Sequence, residues 1–287
     1  MSIIEVKNVS KNFGKTEALK NVSVTFEPEK IYGLLGRNGA GKTTLLNIIT
    51  NKIFADTGEV LVDGEKAEEN DRAQAKIYFM TEKNVHPWDM KVRNGFRWAH
   101  EFNPNFNMEY AQTLAGKFKL DTGKKIKNLS SGYNSIFKSI LALASGLPVI
   151  VFDEPVLGLD AAHRELFYRE LLAYYSEHPK TVVIATHLID EVAEVLEQVV
   201  ILKDGKLILA KPVESVLELA YSVSGDGASV DQYTKSKNTI REETIGKFKV
   251  ATIYQKRENG DRARIQELGL ETTPARLQEV FISLTNS

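Results

Sequence analysis

Gly36-Arg37-Asn38-Gly39-Ala40-Gly41-Lys42-Thr43-Thr44 fits G-x-x-x-x-G-K-[ST], the pattern of a loop that wraps phosphate groups. Its surroundings suit that reading. Ile31 to Leu35 reads as a buried strand leading into the loop, and Leu45 to Ile49 as the apolar face of a helix leaving it. Gly36, Gly39 and Gly41 let the backbone curl closely and aim N–H groups at phosphate oxygens, while a helix N-terminus adds positive potential. Lys42 has the reach for β- and γ-phosphates, and the Thr43 hydroxyl suits Mg²⁺. Asn38, Ala40 and Thr44 complete the expected nucleotide-binding set.

Working outward, the chain has 287 residues, enough for one large domain or a main domain with a small companion. Hydrophobic residues make up 43%, which supports a sizeable core. The net charge of -1 provides no global field to draw the protein onto nucleic acid or anionic lipid, so no nucleic-acid partner is expected. Cysteine is absent, which excludes disulfides, thiolate zinc sites and thiol catalysis. The first residues lack a basic region followed by a long apolar stretch, so no secretory signal is expected. The longest largely apolar stretch, Ile140 to Phe152, is interrupted by Ser145-Gly146 and Pro148 and is too short to span a bilayer. Work at a membrane would need another chain to supply the spanning part.

Strand patterns run over Ile3 to Val9, Val22 to Phe26 and Ile31 to Leu35. Glu59 to Val62 followed by Asp63-Gly64 reads as half of a hairpin, and Ile77 to Met80 as a short strand. From about Trp88 to Leu147 the pattern is helical, which reads as a lobe inserted into a strand-helix alternation. Strands return at Val149 to Phe152 and Val182 to Ala185, each after a helical pattern, which predicts a parallel sheet with crossover helices. Asp204-Gly205 marks another hairpin. Composition shifts after Pro212. Ser224 to Ala228 reads as a turn or loop, Lys247 to Tyr254 as strand and Pro274 to Leu284 as a terminal helix. The expected domains are 1–215, with a helical lobe at about 84–147, and a small α+β accessory domain at 216–287.

Three further stretches carry chemistry. Val149 to Phe152 is a buried strand ending in Asp153 and Glu154. An acid at a strand end beside a phosphate loop can orient Mg²⁺, and the next can polarise an attacking water as general base. Thr181 to Thr186 is another apolar strand, and His187 at its mouth has the reach for a γ-phosphate. Ser130, with Ser131 and Gly132 after it, opens an apolar helical stretch; on local grounds this is a plain helix cap.

In this order, the elements resemble the ATP-binding cassette (ABC) ATPases over residues 1 to about 215. Gly158-Leu159-Asp160 looks like that family's D-loop, and His187 falls at its switch histidine. Leu129-Ser130-Ser131-Gly132-Tyr133 is similar to its signature, usually Leu-Ser-Gly-Gly-Gln. The resemblance implies an α/β phosphate-loop fold, with a mixed sheet, an antiparallel β-subdomain and the helical lobe facing a membrane partner. It also implies that Phe13 stacks on adenine, that Thr43, Asp153 and Glu82 serve Mg²⁺, and that Glu154, His187 and Lys42 are catalytic. Ser130, Ser131 and Gly132 would then cover the ATP of a second cassette, in a head-to-tail homodimer or heterodimer, with Asp160 between the two. There are departures: Ser131 stands for a signature glycine, Tyr133 for a glutamine, Glu82 for a metal-contacting glutamine, and Val156-Leu157 for a small polar pair.

Three functional classes follow. The first is the ATP-hydrolysing subunit of a transporter with separate membrane-spanning chains, peripheral on the cytoplasmic face, with export favoured. A single cassette and the absence of spanning segments support it, and Trp88, Phe96 and Trp98 are its candidate membrane-partner surface. The second, a soluble cassette ATPase of translation or DNA, is expected to carry two cassettes or a long coiled-coil insert. The third, a regulator that binds ATP without turnover, is opposed by the presence of Glu154.

Overall fold

The computed structural model describes residues 2–286 except 82, 84 and 88. The expectations for Glu82 and Trp88 therefore lie outside the described residues. The chain divides into two compact units, Met1–His187 with Leu202–Leu207, and Leu188–Ile201 with Ile208–Ser287.

In the first unit, β1 (Ile4–Phe13) pairs antiparallel with β2 (Thr16–Phe26) and, on its other side, with β4 (Thr57–Val62), which pairs with the short β5 (Glu65–Lys66). β2 begins at Thr16, six residues earlier than its apolar pattern suggests. Gly14, at φ 58, turns the chain so that Phe13 faces Thr16, and the polar start of the strand is carried by pairing rather than by burial. Inside lies a parallel layer in the order β3 (Ile31–Leu35), β8 (Thr181–Thr186), β7 (Val149–Asp153), β6 (Ile77–Met80). β3, β7 and β8 are buried at every position, which is why they read as unbroken apolar runs rather than alternations.

Helix α1 (Lys42–Ile49) follows β3, and α2 (Asp71–Gln74) precedes β6. The helical lobe is α3 (Val92–Phe102), α4 (Met108–Lys117) and α5 (Ser131–Leu143), and it forms the crossover from β6 to its parallel neighbour β7. α3 and α5 approach so closely that a Cβ on Gly95 would lie 2.6 Å from the Phe137 ring. Phe96 is 2% exposed, with its ring 5.8 Å from that of Phe137. This corrects its place among the partner-surface candidates: it packs the lobe. Trp98, by contrast, is exposed and meets the exposed Phe102 edge to face. α6 (Ala161–Glu177) returns the chain from β7 to β8.

The second unit holds α7 (Ile189–Val192), most of β9 (Gln198–Lys203) and β10 (Lys206–Pro212), and α8 (Val213–Leu217). Then follow β11 (Ala220–Asp226), α9 (Gly227–Thr234), β12 (Thr239–Ile245), β13 (Phe248–Tyr254), α10 (Asp261–Glu267), β14 (Glu271–Pro274) and α11 (Leu277–Asn286). β11 to β14 form an antiparallel sheet in the order β12-β13-β11-β14, a ferredoxin-like βαββαβ unit. Tyr221, Val223, Ala251 and Ile253 of the sheet pack on Val230, Tyr233 and Ile265 of the helices. Two sequence expectations are corrected here. Ser224 to Ala228 is the end of β11 and the start of α9, because the Asp226 carboxylate caps the helix by accepting from the Ala228 N–H at 3.1 Å. The terminal helix starts at Leu277, since Glu271–Pro274 is drawn into pairing with β11.

Candidate functional site

The parallel strands end together at one edge, where β3 hands over to the loop 36–41 and α1. Gly39 and Gly41 adopt φ of 82 and 103, a region that side chains avoid. A Cβ on Gly41 would lie 2.7 Å from the Ala18 carbonyl, so the position has neither the angle nor the room for one. The loop is pinned from outside. The Gly205 N–H donates to the Ala40 carbonyl at 3.2 Å, and the Lys20 N–H donates to the Gly205 carbonyl at 2.8 Å. Gly41 caps α1 without a side-chain hydrogen bond, so the first turn has amides to offer an anion.

The loop floors a cleft of about 1120 Å³, lined by Arg37 to Thr44 together with Asp153, Glu154, Lys52 and Asp204. Lys42 is buried and donates to the Gly36 carbonyl at 2.6 Å. Burial holds its pKa below the usual lysine range, opposed by the charges of Glu154 and Asp153. The Thr43 hydroxyl lies 3.4 Å from the carboxylate of Asp153, itself 7% exposed.

Glu154 sits one residue beyond β7, at φ 51, a left-handed conformation that costs a non-glycine residue energy. The neighbouring strand holds it there. Its N–H donates to the Ala185 carbonyl at 2.9 Å, and the Thr186 hydroxyl donates to its Oε2 at 3.0 Å. His187 Nδ1 lies 2.9 Å from Oε1. The parallel register, with Asp153 opposite Ala185, sets these distances. Phe13 is 52% exposed at the end of β1, and its register partner Thr16 lines the cleft.

The second motif lies apart from the cleft lining. Ser130 caps α5 with its own hydroxyl, which accepts from the Tyr133 N–H at 3.3 Å. A Cβ on Gly132 would lie 2.6 Å from the Gly158 carbonyl, so signature and D-loop turns are in backbone contact. Asp160 caps α6, accepting from the His163 N–H at 2.9 Å, and that bond foremost keeps its carboxyl below the usual range.

Thr186 and Lys52 were missed by sequence reasoning. Thr186 stood in a quoted strand, but only the register shows its hydroxyl aimed at Glu154. Lys52 belongs to no motif. Its Nζ lies 4.4 Å over the Phe79 ring, and burial, opposed chiefly by Asp153, lowers its pKa.

For Mg²⁺, the donor set fits. A hydroxyl and a buried carboxylate converge beside phosphate-binding amides, and Mg²⁺ in such sites takes one or two protein oxygens with the rest from phosphates and water. Among the described residues no cluster of three or more acids or histidines forms a closed metal cage.

A closely wrapped loop, a buried lysine and a strand-end acid pair define a nucleoside-triphosphate site. Comparison with known proteins agrees. A family model described as ABC transporter matches residues 19–157. The chain is 27% identical over 285 residues to the ABC transporter ATP-binding protein YtrB of Bacillus subtilis, covering 98% of this chain and 97% of that one. It is 31% identical to an uncharacterized ABC transporter ATP-binding protein, MJ1023, of Methanocaldococcus jannaschii, covering 76% and 81%. A solved dimeric post-hydrolysis cassette, MJ0796 bound to ADP and Pi, superposes with a TM-score of 0.65 at 26% identity, over 73% of this chain and 98% of that one. The chain belongs to the ABC transporter family as an ATP-binding subunit, and it is an ATPase.

Proposed function

We propose that this subunit powers export through separate membrane-spanning chains, by closing on a second cassette when ATP is bound and reopening after hydrolysis. The hydrogen-bonded Glu154 carries the hydrolytic part: a carboxylate facing the cleft beside Asp153, held by the Thr186 hydroxyl and by His187. The relative matched over nearly its whole length is an ABC transporter ATP-binding protein. The ribose import protein RbsA of Lactococcus lactis is spanned only to 51% of its length. Among the described residues no helix is long and apolar enough to cross a membrane, so the reading relies on membrane chains encoded apart and a peripheral place on the cytoplasmic face. The exposed Trp98–Phe102 pair on α3 is the surface for them.

Lys42 and the loop amides hold the phosphates. Thr43 and Asp153 hold Mg²⁺, which neutralises phosphate charge when bound; Glu82, proposed as its third ligand, lies outside the described residues. Glu154 takes the proton of the attacking water, and His187 orients Glu154 and steadies the γ-phosphate. Phe13 stacks on adenine. Ser130, Ser131 and Gly132 serve the ATP of the second cassette, with Asp160 beside them. Residues 216–287 form the accessory domain. Catalysis here is mostly positioning and charge stabilisation.

The test is Glu154→Gln in the full chain. Hydrolysis is expected to fall about 10²–10⁴-fold while ATP affinity is kept, and light scattering should show that Mg·ATP adds an association step absent from the nucleotide-free protein. Undiminished hydrolysis would remove Glu154 from the mechanism, and an assembly state unchanged by saturating Mg·ATP would remove the closure step.

A further inference from the structure

The second unit carries a strand edge whose charges are arranged to meet a copy of themselves. β12 lies at the end of its sheet, with β13 as its neighbour on one side. Its residues Thr239 to Arg241 are half-buried, and Glu242 to Ile245 are exposed. Exposed edges invite pairing, and proteins usually block them with lysine, proline or short length. The opposite edge does this: β14 has four residues and ends on Pro274. β12 has seven residues and neither lysine nor proline, and beyond a bulge between Thr239 and Arg241 its stretch 241–245 pairs regularly with β13.

β12 reads Thr239-Ile240-Arg241-Glu242-Glu243-Thr244-Ile245. Placed antiparallel to an identical strand about a two-fold axis through Glu242, each position i meets 484 minus i. Arg241 then faces Glu243, twice, once on each side of the axis. A bulge between Thr239 and Arg241 confines the regular register to these central positions. Positions 241 and 243 share one face of the strand, and in the single chain they already form an ion pair with each other, so both side chains have the reach. The axis itself would bring two Glu242 carboxylates together, but each is paired with Lys249 Nζ at 2.7 Å. An axis through Arg241 would instead oppose two arginines. An axis between residues would oppose positions that lie on different faces of the strand, which a two-fold antiparallel pair does not allow. The charge pattern therefore selects one register. The pairing also covers exposed apolar surface on the same face, where Ile245 (78% exposed) stands opposite Phe248 (50% exposed).

We infer that β12 is a second dimerisation site, pairing antiparallel with β12 of another copy about Glu242 to make one continuous eight-stranded sheet, without nucleotide. This interface is independent of the ATP-driven closure proposed above.

The chain contains no cysteine, so a single introduced thiol reports position without background. Under mild oxidant and without nucleotide, full-length Glu242→Cys should form a disulfide-linked dimer. Glu271→Cys, on the other edge, should stay monomeric. Arg241→Glu should weaken the nucleotide-free dimer about ten- to thirtyfold by light scattering, since two attractive cross-strand pairs become repulsive. Arg241→Glu with Glu243→Arg should restore it, which a mere folding defect would not. A wild-type protein that is monomeric without ATP at tens of micromolar, equal cross-linking at 242 and 271, or a double variant as weak as the single one would each overturn the inference. Arg241→Glu in the Glu154→Gln background should keep its ATP-dependent dimer, which separates the two interfaces.

Discussion

Two helices in the first unit begin with the same local chemistry and end in different roles. α1 and α5 both start at small residues, with amides pointing out of the first turn. At α1 the cap is Gly41, which has no side chain to use those amides, and a strained backbone leaves them facing a cleft that also holds Lys42 and Asp153. At α5 the cap is Ser130, whose hydroxyl accepts from the amide of Tyr133. One helix start has no side-chain cap and faces the chain's own cleft, while the other gives one amide to its cap and sits on the surface against Gly158. Anion affinity thus follows what the cap leaves unsatisfied, and the helix dipole is common to both. It follows that the departures at Ser131 and Tyr133 lie outside the chain's own nucleotide cleft.

The largest break in this comparison is Lys42→Ala. Removing the buried cation that serves the open helix start should lower ATP affinity about a hundredfold, read by equilibrium binding of a fluorescent nucleotide. Next comes Thr186→Val, which takes one hydrogen bond from Glu154. Hydrolysis should drop about tenfold with ATP binding unchanged, so kcat moves and affinity does not. Ser130→Ala frees the Tyr133 amide from its cap. It should cost about 1 kcal/mol of stability in urea unfolding and leave the chain's own ATP affinity as it was; a change in that affinity would show that the two helix starts are coupled.

The smallest expected effect is a pH dependence away from both. Lys180 is buried beside the Tyr174 hydroxyl, 3.0 Å away, and burial lowers its pKa to about 8. Between about pH 8 and the higher pKa of the unfolded chain, the unfolded state holds the extra proton, so this group's contribution to stability rises with pH. The melting temperature of wild type relative to Lys180→Met should therefore increase from pH 8 to pH 10.

Legibility in the sequence followed how local the cause was. The loop 36–44 and the strand ending in Asp153-Glu154 could be read directly, because glycine spacing and an unbroken apolar run are sequence properties. Trp98 and Phe96 look alike in sequence, two residues apart on α3, yet one is exposed and the other is pressed against Phe137. β12 could not be read at all, since its polar residues form a strand only through pairing with β13.

By itself the sequence determined the closely wrapped loop and the acids that end β7, since backbone freedom at Gly39 and Gly41 and the charge of Lys42 belong to the residues themselves. Only the tertiary structure decided that Thr186 and His187 would grip Glu154, that Lys52 would enter the cleft, and that α1 would open onto it. The grip on Glu154 depends on register between β7 and β8, strands far apart in the chain, where a shift of one residue would turn the Thr186 side chain away.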